Sequence, residues 1–138
     1  MYVKPVPAEF VNQTWPLIEG YIEDAFTYGD PGESLYTLDN VRGYVTSGAW
    51  LLCVVVDKEN KIHGAGTISF TNYPMHRVAF ITTVGGRLIC NKDTAEQVKS
   101  IARQNGASVL QAFGRPSAAR LWRRFNFESR NTLVEVLL

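Results

Sequence analysis

The chain has 138 residues, of which 46% are hydrophobic and 20% are charged, and its formal net charge is +1. A chain of this length can bury roughly two thirds of its unfolded surface in one core, so we expect a single domain over residues 1–138. No apolar run approaches the ~18 residues of a membrane-spanning helix, so no membrane partner is expected. Residues 1–10 have neither the basic start nor the apolar core of a signal peptide, which predicts a protein that stays in the cytoplasm.

Charge and cysteine usage narrow the ligands that the chain is expected to bind. Residues 1–57 contain two basic and eight acidic side chains, giving −6, so the rest of the chain carries +7. A basic half favours an acidic ligand, an acidic protein or a nucleic acid, although one folded domain can mix both halves on its surface. Cys53 and Cys90 lie in apolar segments without His or Cys neighbours at ligand spacing. This pattern predicts reduced thiols, with no metal and no disulfide.

The spacing of apolar residues predicts ten elements, with a period near 3.6 for helices and 2 for strands. In chain order they are an edge strand at 3–6, helices at 11–26 and 38–46, strands at 50–56, 62–71 and 77–84, a helix from about 94 to 104, a strand at 108–113, a helix at 117–124 and a final strand at 131–138. Thr37 and Gly48 are predicted to cap and stop the second helix. Residues 29–32, Gly-Asp-Pro-Gly, are expected to end the first helix.

The segment from Arg115 to Phe127 carries the most specific pattern in the sequence. It resembles the end of the GNAT (Gcn5-related N-acetyltransferase) domain, in which a strand is followed by Asn-x-x-Ala-x-x-x-Tyr-x-x-x-Gly-Phe. Ala118 and Phe127 match this pattern, whereas Arg115, Trp122 and Asn126 occupy the Asn, Tyr and Gly positions. Together with the order of elements, the resemblance implies an α+β fold: a GNAT-like mixed, mostly antiparallel sheet flanked by about four helices.

A further resemblance implies a source for the chain. The segments concerned are Trp15–Ile18, Tyr36–Val41, Ser47-Gly48, Leu51–Val56, Gly106, Gly114-Arg115 and Trp122. They are similar to small GNAT-like proteins of tailed bacteriophages. The resemblance implies a bacteriophage protein located in the host cytoplasm or in the virion.

The GNAT resemblance also implies where acetyl-CoA would bind. Active members hold its pyrophosphate on Arg/Gln-x-x-Gly-x-Gly/Ala before the central helix, and the corresponding segment 90–96 has no glycine. Asp93 and Glu96 are predicted to form an acidic capping box that occupies the helix amides a phosphate would need. We therefore expect that acetyl-CoA does not bind tightly. The residues implied to contact it, if it binds, are Thr83, Val84, Arg87, Asn91, Lys92 and Arg115.

The catalytic groups of the family are poorly represented in this sequence. The run from Arg77 to Ile89 contains no acidic residue to act as the base. His76 is a candidate base because histidine titrates near neutral pH, and a structural role is the alternative. Trp122 replaces the tyrosine acid, and its indole N–H does not donate a proton at neutral pH, so we expect it to pack. Tyr73 is the substitute acid that the sequence offers.

Three functions follow from these observations. The first is a bacteriophage GNAT-fold protein without efficient acetyl transfer, which binds an unidentified protein or acidic ligand as a virion-associated or host-directed factor. The second is an active acetyl-CoA-dependent N-acetyltransferase. The third is a nucleic-acid-binding module that uses Arg120, Arg123 and Arg124 on one helix face. The apolar segment 133–138 suits either a dimer contact or the core of one chain.

Overall fold

The computed structural model describes residues 1–27 and 35–138, and of Thr27 the backbone alone. The elements, in chain order, are β1 (Tyr2–Val6), α1 (Val11–Thr27) after a short 3-10 turn (Ala8–Phe10), α2 (Leu38–Thr46), β2 (Leu51–Val56), β3 (Ile62–Asn72), β4 (Arg77–Gly86), α3 (Lys92–Gln104), β5 (Val109–Ala112) and α4 (Pro116–Trp122), followed by a 3-10 turn (Arg123–Phe125). The predicted helix end at residues 29–32 lies outside the described residues. Within the described ranges, no helix is long and apolar enough to cross a membrane.

The five strands form one sheet in the order β1-β2-β3-β4-β5. Neighbours from β1 to β4 are antiparallel, and β4 pairs with β5 in parallel. This confirms the predicted mixed, mostly antiparallel sheet. β1 lies at one edge, where Pro5 can be accommodated opposite Cys53 because an edge strand needs hydrogen bonds on one side only.

Helices cover both faces of the sheet, and this explains why the sequence of β2 is apolar throughout. Cys53 and Val55 pack in the cluster that includes α3, while Leu52 and Val54 pack in the cluster that includes α1 and α2. Successive residues of a strand point to opposite faces, so a strand buried on both faces has no polar positions. The sheet is therefore the middle layer of three.

The caps of α2 and α3 show one confirmed prediction and one error. Thr37 caps α2 as predicted, in a reciprocal pair with Asn40. For α3, the predicted box of Asp93 and Glu96 is wrong, because the helix begins at Lys92 and its N-cap is Asn91. Asn91 Oδ1 accepts from the Thr94 amide at 2.9 Å, and the Thr94 hydroxyl accepts from the Asn91 amide at 3.3 Å.

The predicted final strand at 131–138 is also wrong for the single chain, in which these residues form neither strand nor helix. Their apolar side chains are exposed, from 62% for Leu133 to complete exposure for Leu138. Alternation makes a segment suitable for a sheet face, but a strand also needs a neighbour to pair with its backbone groups. No neighbouring strand is present for it among the described residues.

Candidate ligand cleft between β4 and β5

β4 and β5 begin side by side and then separate. Their pairing runs from Val78 with Val109 to Ile81 with Ala112. β4 then continues to Gly86, paired with β3, while the chain leaves β5 toward α4. The separation opens a cleft of about 400 Å³. Its lining residues are Asp24, Ala25, Val84, Gly85, Gly86, Ile89, Phe113, Gly114, Arg115, Ala118, Leu121 and Trp122.

A bulge in β4 lies where the two strands separate. Thr67 of β3 pairs with Thr83 and the next residue of β3 pairs with Ile81, so Thr82 is an extra residue on β4. The hydroxyl of Thr67 lies 2.7 Å from those of both Thr82 and Thr83, and all three side chains are buried. Bulges bend a strand and increase its local twist. The buried hydroxyl cluster therefore holds the bend that turns β4 away from β5.

Gly85 and Gly86 allow α1 and β3 to approach the end of β4 closely. A Cβ at Gly85 would lie 2.2 Å from the carbonyl oxygen of Tyr21 in α1. Gly86 has φ +61°, and a Cβ there would lie 2.5 Å from the His63 carbonyl oxygen. Both positions require glycine for close packing, and β4 ends at Gly86.

Trp122 forms the side of the cleft contributed by α4, and its packing role is confirmed. It is 7% exposed, and its ring centroid lies 5.9 Å from that of Phe127. A Cβ at Gly114 would lie 3.3 Å from the Trp122 ring. Asn126, at the Gly position of the pattern, has φ +71° and so adopts the left-handed conformation that glycine favours and asparagine tolerates.

In the loop that would receive a pyrophosphate, several backbone amides already donate hydrogen bonds to side chains. The Thr94 hydroxyl accepts from the amides of Cys90 and Asn91, and Asn91 accepts from the Thr94 amide. Glu96 pairs with Lys99 at 2.9 Å, and this hydrogen bond is the main cause that lowers the pKa of Glu96. Asn91 and Thr94, rather than the predicted Asp93 and Glu96, provide the cap, and weak binding of acetyl-CoA stays a prediction.

The predicted cofactor residues lie around one end of β4. Val84 and Arg115 line the cleft, and Arg115 is the N-cap residue of α4. Arg87, Asn91 and Lys92 are exposed in and after the loop that follows β4. Thr83 is buried with its hydroxyl turned to Thr67, so its side chain supports the bulge. Contact of these residues with a cofactor stays a prediction.

The predicted catalytic candidates lie at the other end of β4. Tyr73 and His76 line a separate pocket of about 380 Å³, and His76 Nδ1 lies 2.9 Å from the Ser108 hydroxyl. His76 and Thr82 are six positions apart along an extended chain, which corresponds to about 20 Å. A catalytic role for either side chain stays a prediction.

His63, the other histidine, has a structural partner. Its Nε2 donates to Asp57 Oδ2 at 2.7 Å, and this hydrogen bond is the main cause that holds the pKa of Asp57 below its ordinary value. Asp57 Oδ1 also accepts from the amides of Glu59 and Lys61. The pair therefore fixes the turn between β2 and β3.

Asp24 is the charged cleft residue that the sequence prediction missed. It lies on α1, whose buried positions include Ile18, Ile22 and Ala25, and it lines the cleft beside the end of β4. Helical periodicity identifies which face of α1 is buried. It does not indicate that the last turns of α1 reach the place where β4 and β5 separate, because that depends on a contact between distant parts of the chain.

Two remaining predictions concern cations and metals. Arg120, at the end of α4, and Arg123 and Arg124, in the 3-10 turn that follows it, are exposed. A role in nucleic-acid binding stays a prediction. Among the described residues there is no cluster of His, Cys, Asp or Glu that could hold a metal ion.

The fold is similar to those of several solved acetyltransferase structures. An aminoglycoside acetyltransferase from an uncultured soil metagenomic sample has a TM-score of 0.70 at 12% identity, covering 99% of this chain and 94% of that one. A ribosomal-protein-alanine N-acetyltransferase from Brucella melitensis has a TM-score of 0.67 at 9% identity, covering 100% of both chains. A predicted acetyltransferase from Clostridium acetobutylicum, solved with acetyl-CoA, has a TM-score of 0.63 at 10% identity, covering 99% and 95%.

The chain has a GNAT-like fold. No protein-family model matches it, and no curated protein matches its sequence. Because identities near 10% relate folds rather than activities, the chemistry of this GNAT-like protein must be argued from its own cleft.

Proposed function

We propose that the cleft between β4 and β5 binds the pantetheine arm and thioester of an acyl-CoA, and that the phosphates add little affinity. The observation that carries this proposal is the separation of two parallel strands after Ile81 and Ala112. Past Ile81, the edge of β4 that faces the cleft has no strand partner among the described residues. Backbone N–H and C=O groups on such an edge can pair with the amides of an extended pantetheine arm, as they would with an added strand.

Weak binding of the phosphates is supported by the start of α3. Anions bind helix N-termini through free amides and the positive end of the helix dipole. Here the Asn91 side chain accepts from the Thr94 amide of the first turn, and the Thr94 hydroxyl accepts from the Cys90 amide just before the helix. Asp93 adds a negative charge to this turn. Arg87 and Lys92 are the nearby cations, and both are exposed, so solvent screens their attraction for an anion.

Inefficient acyl transfer is the second part of the proposal. At the tyrosine position of the GNAT pattern the chain has Trp122, which packs against Gly114 and Phe127. Departure of the CoA thiolate would then proceed without an acid from this position, and such an acid typically contributes 10²–10⁴-fold to a rate. The protein would act chiefly by binding. A role as a virion-associated or host-directed bacteriophage factor in the host cytoplasm rests on the sequence resemblance.

Calorimetric titration with acetyl-CoA and with S-acetylpantetheine tests the proposal. We expect both to bind, with dissociation constants of about 0.1 mM or weaker that differ by less than about tenfold, or 1.4 kcal/mol. Arg87→Ala and Lys92→Ala should each change acetyl-CoA affinity by less than about threefold, since exposed charge pairs contribute little. Failure of the fragment to bind at millimolar concentration would refute the cleft as a pantetheine site. A preference for acetyl-CoA above about 100-fold would refute the weak phosphate contribution.

One observation favours active acyl transfer as a second candidate. Asp24 lines the same cleft as Val84 and Arg115, so a carboxylate is available beside the proposed thioester site. A carboxylate within hydrogen-bond reach of an amine can accept its proton as the amine attacks a thioester. In this alternative the amine enters on the α1 side of the cleft, and Asp24 is the base.

A further inference from the structure

Lys99 of α3 reaches the chain segment that follows α4. Its ammonium group donates to the Phe125 carbonyl oxygen at 2.6 Å and lies 5.7 Å from the centroid of the Phe127 ring. It also pairs with Glu96, one turn earlier in α3, at 2.9 Å. The Lys99 side chain is only 17% exposed, so it has lost rotamer freedom that a surface lysine keeps. These contacts indicate that Lys99 fixes the segment after α4.

The segment after α4 changes direction within a few residues. α4 ends at Trp122, a 3-10 turn follows it, and Asn126 has φ +71°. The chain then turns back, and the Phe127 amide donates to the Trp122 carbonyl oxygen at 3.2 Å. The last carbonyl groups of a helix have no partner within the helix, and a lysine side chain can supply one. Lys99 supplies it for Phe125, the last residue of the 3-10 turn.

This segment packs against the wall that α4 contributes to the cleft. The Phe127 ring lies 5.9 Å from the ring of Trp122, which lines the cleft, and Gly114 packs against the same indole. Trp122 and Phe125 are buried in one cluster with residues of α3, namely Ala95, Val98, Ile101 and Ala102. A shift of the Phe125 backbone or of the Phe127 ring would therefore displace the indole that borders the cleft.

We propose that Lys99 is a positioning residue of the cleft and that it holds the Trp122 indole in place through Phe125 and Phe127. The consequence for binding rests on the proposed function, because a displaced indole should weaken binding of the pantetheine arm. Methionine in place of Lys99 has a similar length, but it leaves the Phe125 carbonyl without its charged donor. Arginine keeps the charge and the donor. The ion pair with Glu96 contributes less, because the Glu96 side chain is 45% exposed and solvent screens the pair.

Fluorine NMR of the protein labelled with fluorotryptophan tests the position of the indole without any ligand. The chain has three tryptophans, and Trp15 and Trp50 pack in the other core cluster, so each reports on a different part of the fold. We expect Lys99→Met to move the Trp122 signal alone and Lys99→Arg to return it toward its wild-type position. Arg103→Met, at an exposed position of the same helix, is the matched control and should leave all three signals unchanged. An unmoved Trp122 signal in Lys99→Met would overturn the proposal, and so would equal shifts of all three signals, which indicate a general role in folding.

Calorimetric titration with S-acetylpantetheine tests the consequence for the cleft. We expect Lys99→Met to weaken binding at least about fivefold, and Lys99→Arg and Glu96→Gln each to stay within about twofold of the wild type. Wild-type affinity of a Lys99→Met variant whose Trp122 signal has moved would overturn the link between Lys99 and the cleft. Failure of the wild type to bind would instead refute the pantetheine site of the proposed function, and the fluorine spectra alone would then decide whether Lys99 fixes Trp122.

Discussion

At the scale of single residues, Asp24 has the greatest potential effect on chemistry. Among the described residues that line the cleft it is the one carboxylate, and Arg115 is the one cationic side chain. The two come from opposite ends of the sequence. A base from α1 and a thioester held between β4 and β5 would be the minimum arrangement for attack by an amine.

Replacement of Asp24 separates the two candidate functions. If Asp24 is a base, Asp24→Asn should lower amine-dependent thiol release from acetyl-CoA by at least 10², while acetyl-CoA affinity stays within about threefold. The assay uses a panel of primary amines as acceptors. Glu19→Gln, on an exposed position of α1, is the matched control and should have wild-type activity. Wild-type thiol release by the Asn variant, or none by the wild type itself, would exclude Asp24 as the base.

Residues with a local role were predictable, and residues defined by distant contacts were not. Nearby sequence is enough to predict that Thr37 is an N-cap and that Trp122 packs in the core. The cap of α3 was misassigned because Asn91 and Asp93 are both good N-caps, and the choice depends on where the preceding loop leaves the chain. Asp24 was missed because its environment is formed by β4 and β5, which begin 53 and 85 residues later.

At the scale of elements, the bulge in β4 determines whether a cleft exists. An extra residue at Thr82 bends the strand directly after its last pair with β5. The hydroxyls of Thr67, Thr82 and Thr83 satisfy one another in the core, where an unpaired hydroxyl would be costly. Strand prediction from alternation locates β3 and β4 well, but a one-residue change in register has no sequence signal of comparable strength.

Removal of the central hydroxyl should destabilise the protein. Thr67→Val keeps the shape of the side chain and leaves the Thr83 hydroxyl without this partner, so we expect the free energy of unfolding to fall by about 1–3 kcal/mol. Chemical denaturation followed by circular dichroism measures it. Thr71→Val, at an exposed position of the same strand, is the control and should change stability by less than about 0.5 kcal/mol. Equal stability of Thr67→Val and wild type would show that the cluster does not hold the bulge.

At the scale of the whole molecule, the order of elements was predictable and the pairing of the last segment was not. The predicted strand at 131–138 has the right alternation, yet the single chain leaves it unpaired and exposed. Sequence pattern indicates that a segment can form a strand, whereas the strand next to it is determined by the fold or by a second copy. The five strands from β1 to β5 pair in one sheet, and the separation of β4 from β5 opens the cleft.

The central claim is that the cleft between β4 and β5 holds the pantetheine arm, and filling the cleft tests it most directly. Ala118 is half-buried on α4 and lines the cleft, so Ala118→Phe should occupy space that the arm needs. Ser117→Phe, on the same helix but exposed, is the matched control. In calorimetric titrations with S-acetylpantetheine we expect Ala118→Phe to weaken binding at least tenfold and Ser117→Phe to leave it unchanged. Wild-type affinity in a folded Ala118→Phe variant would contradict the assignment.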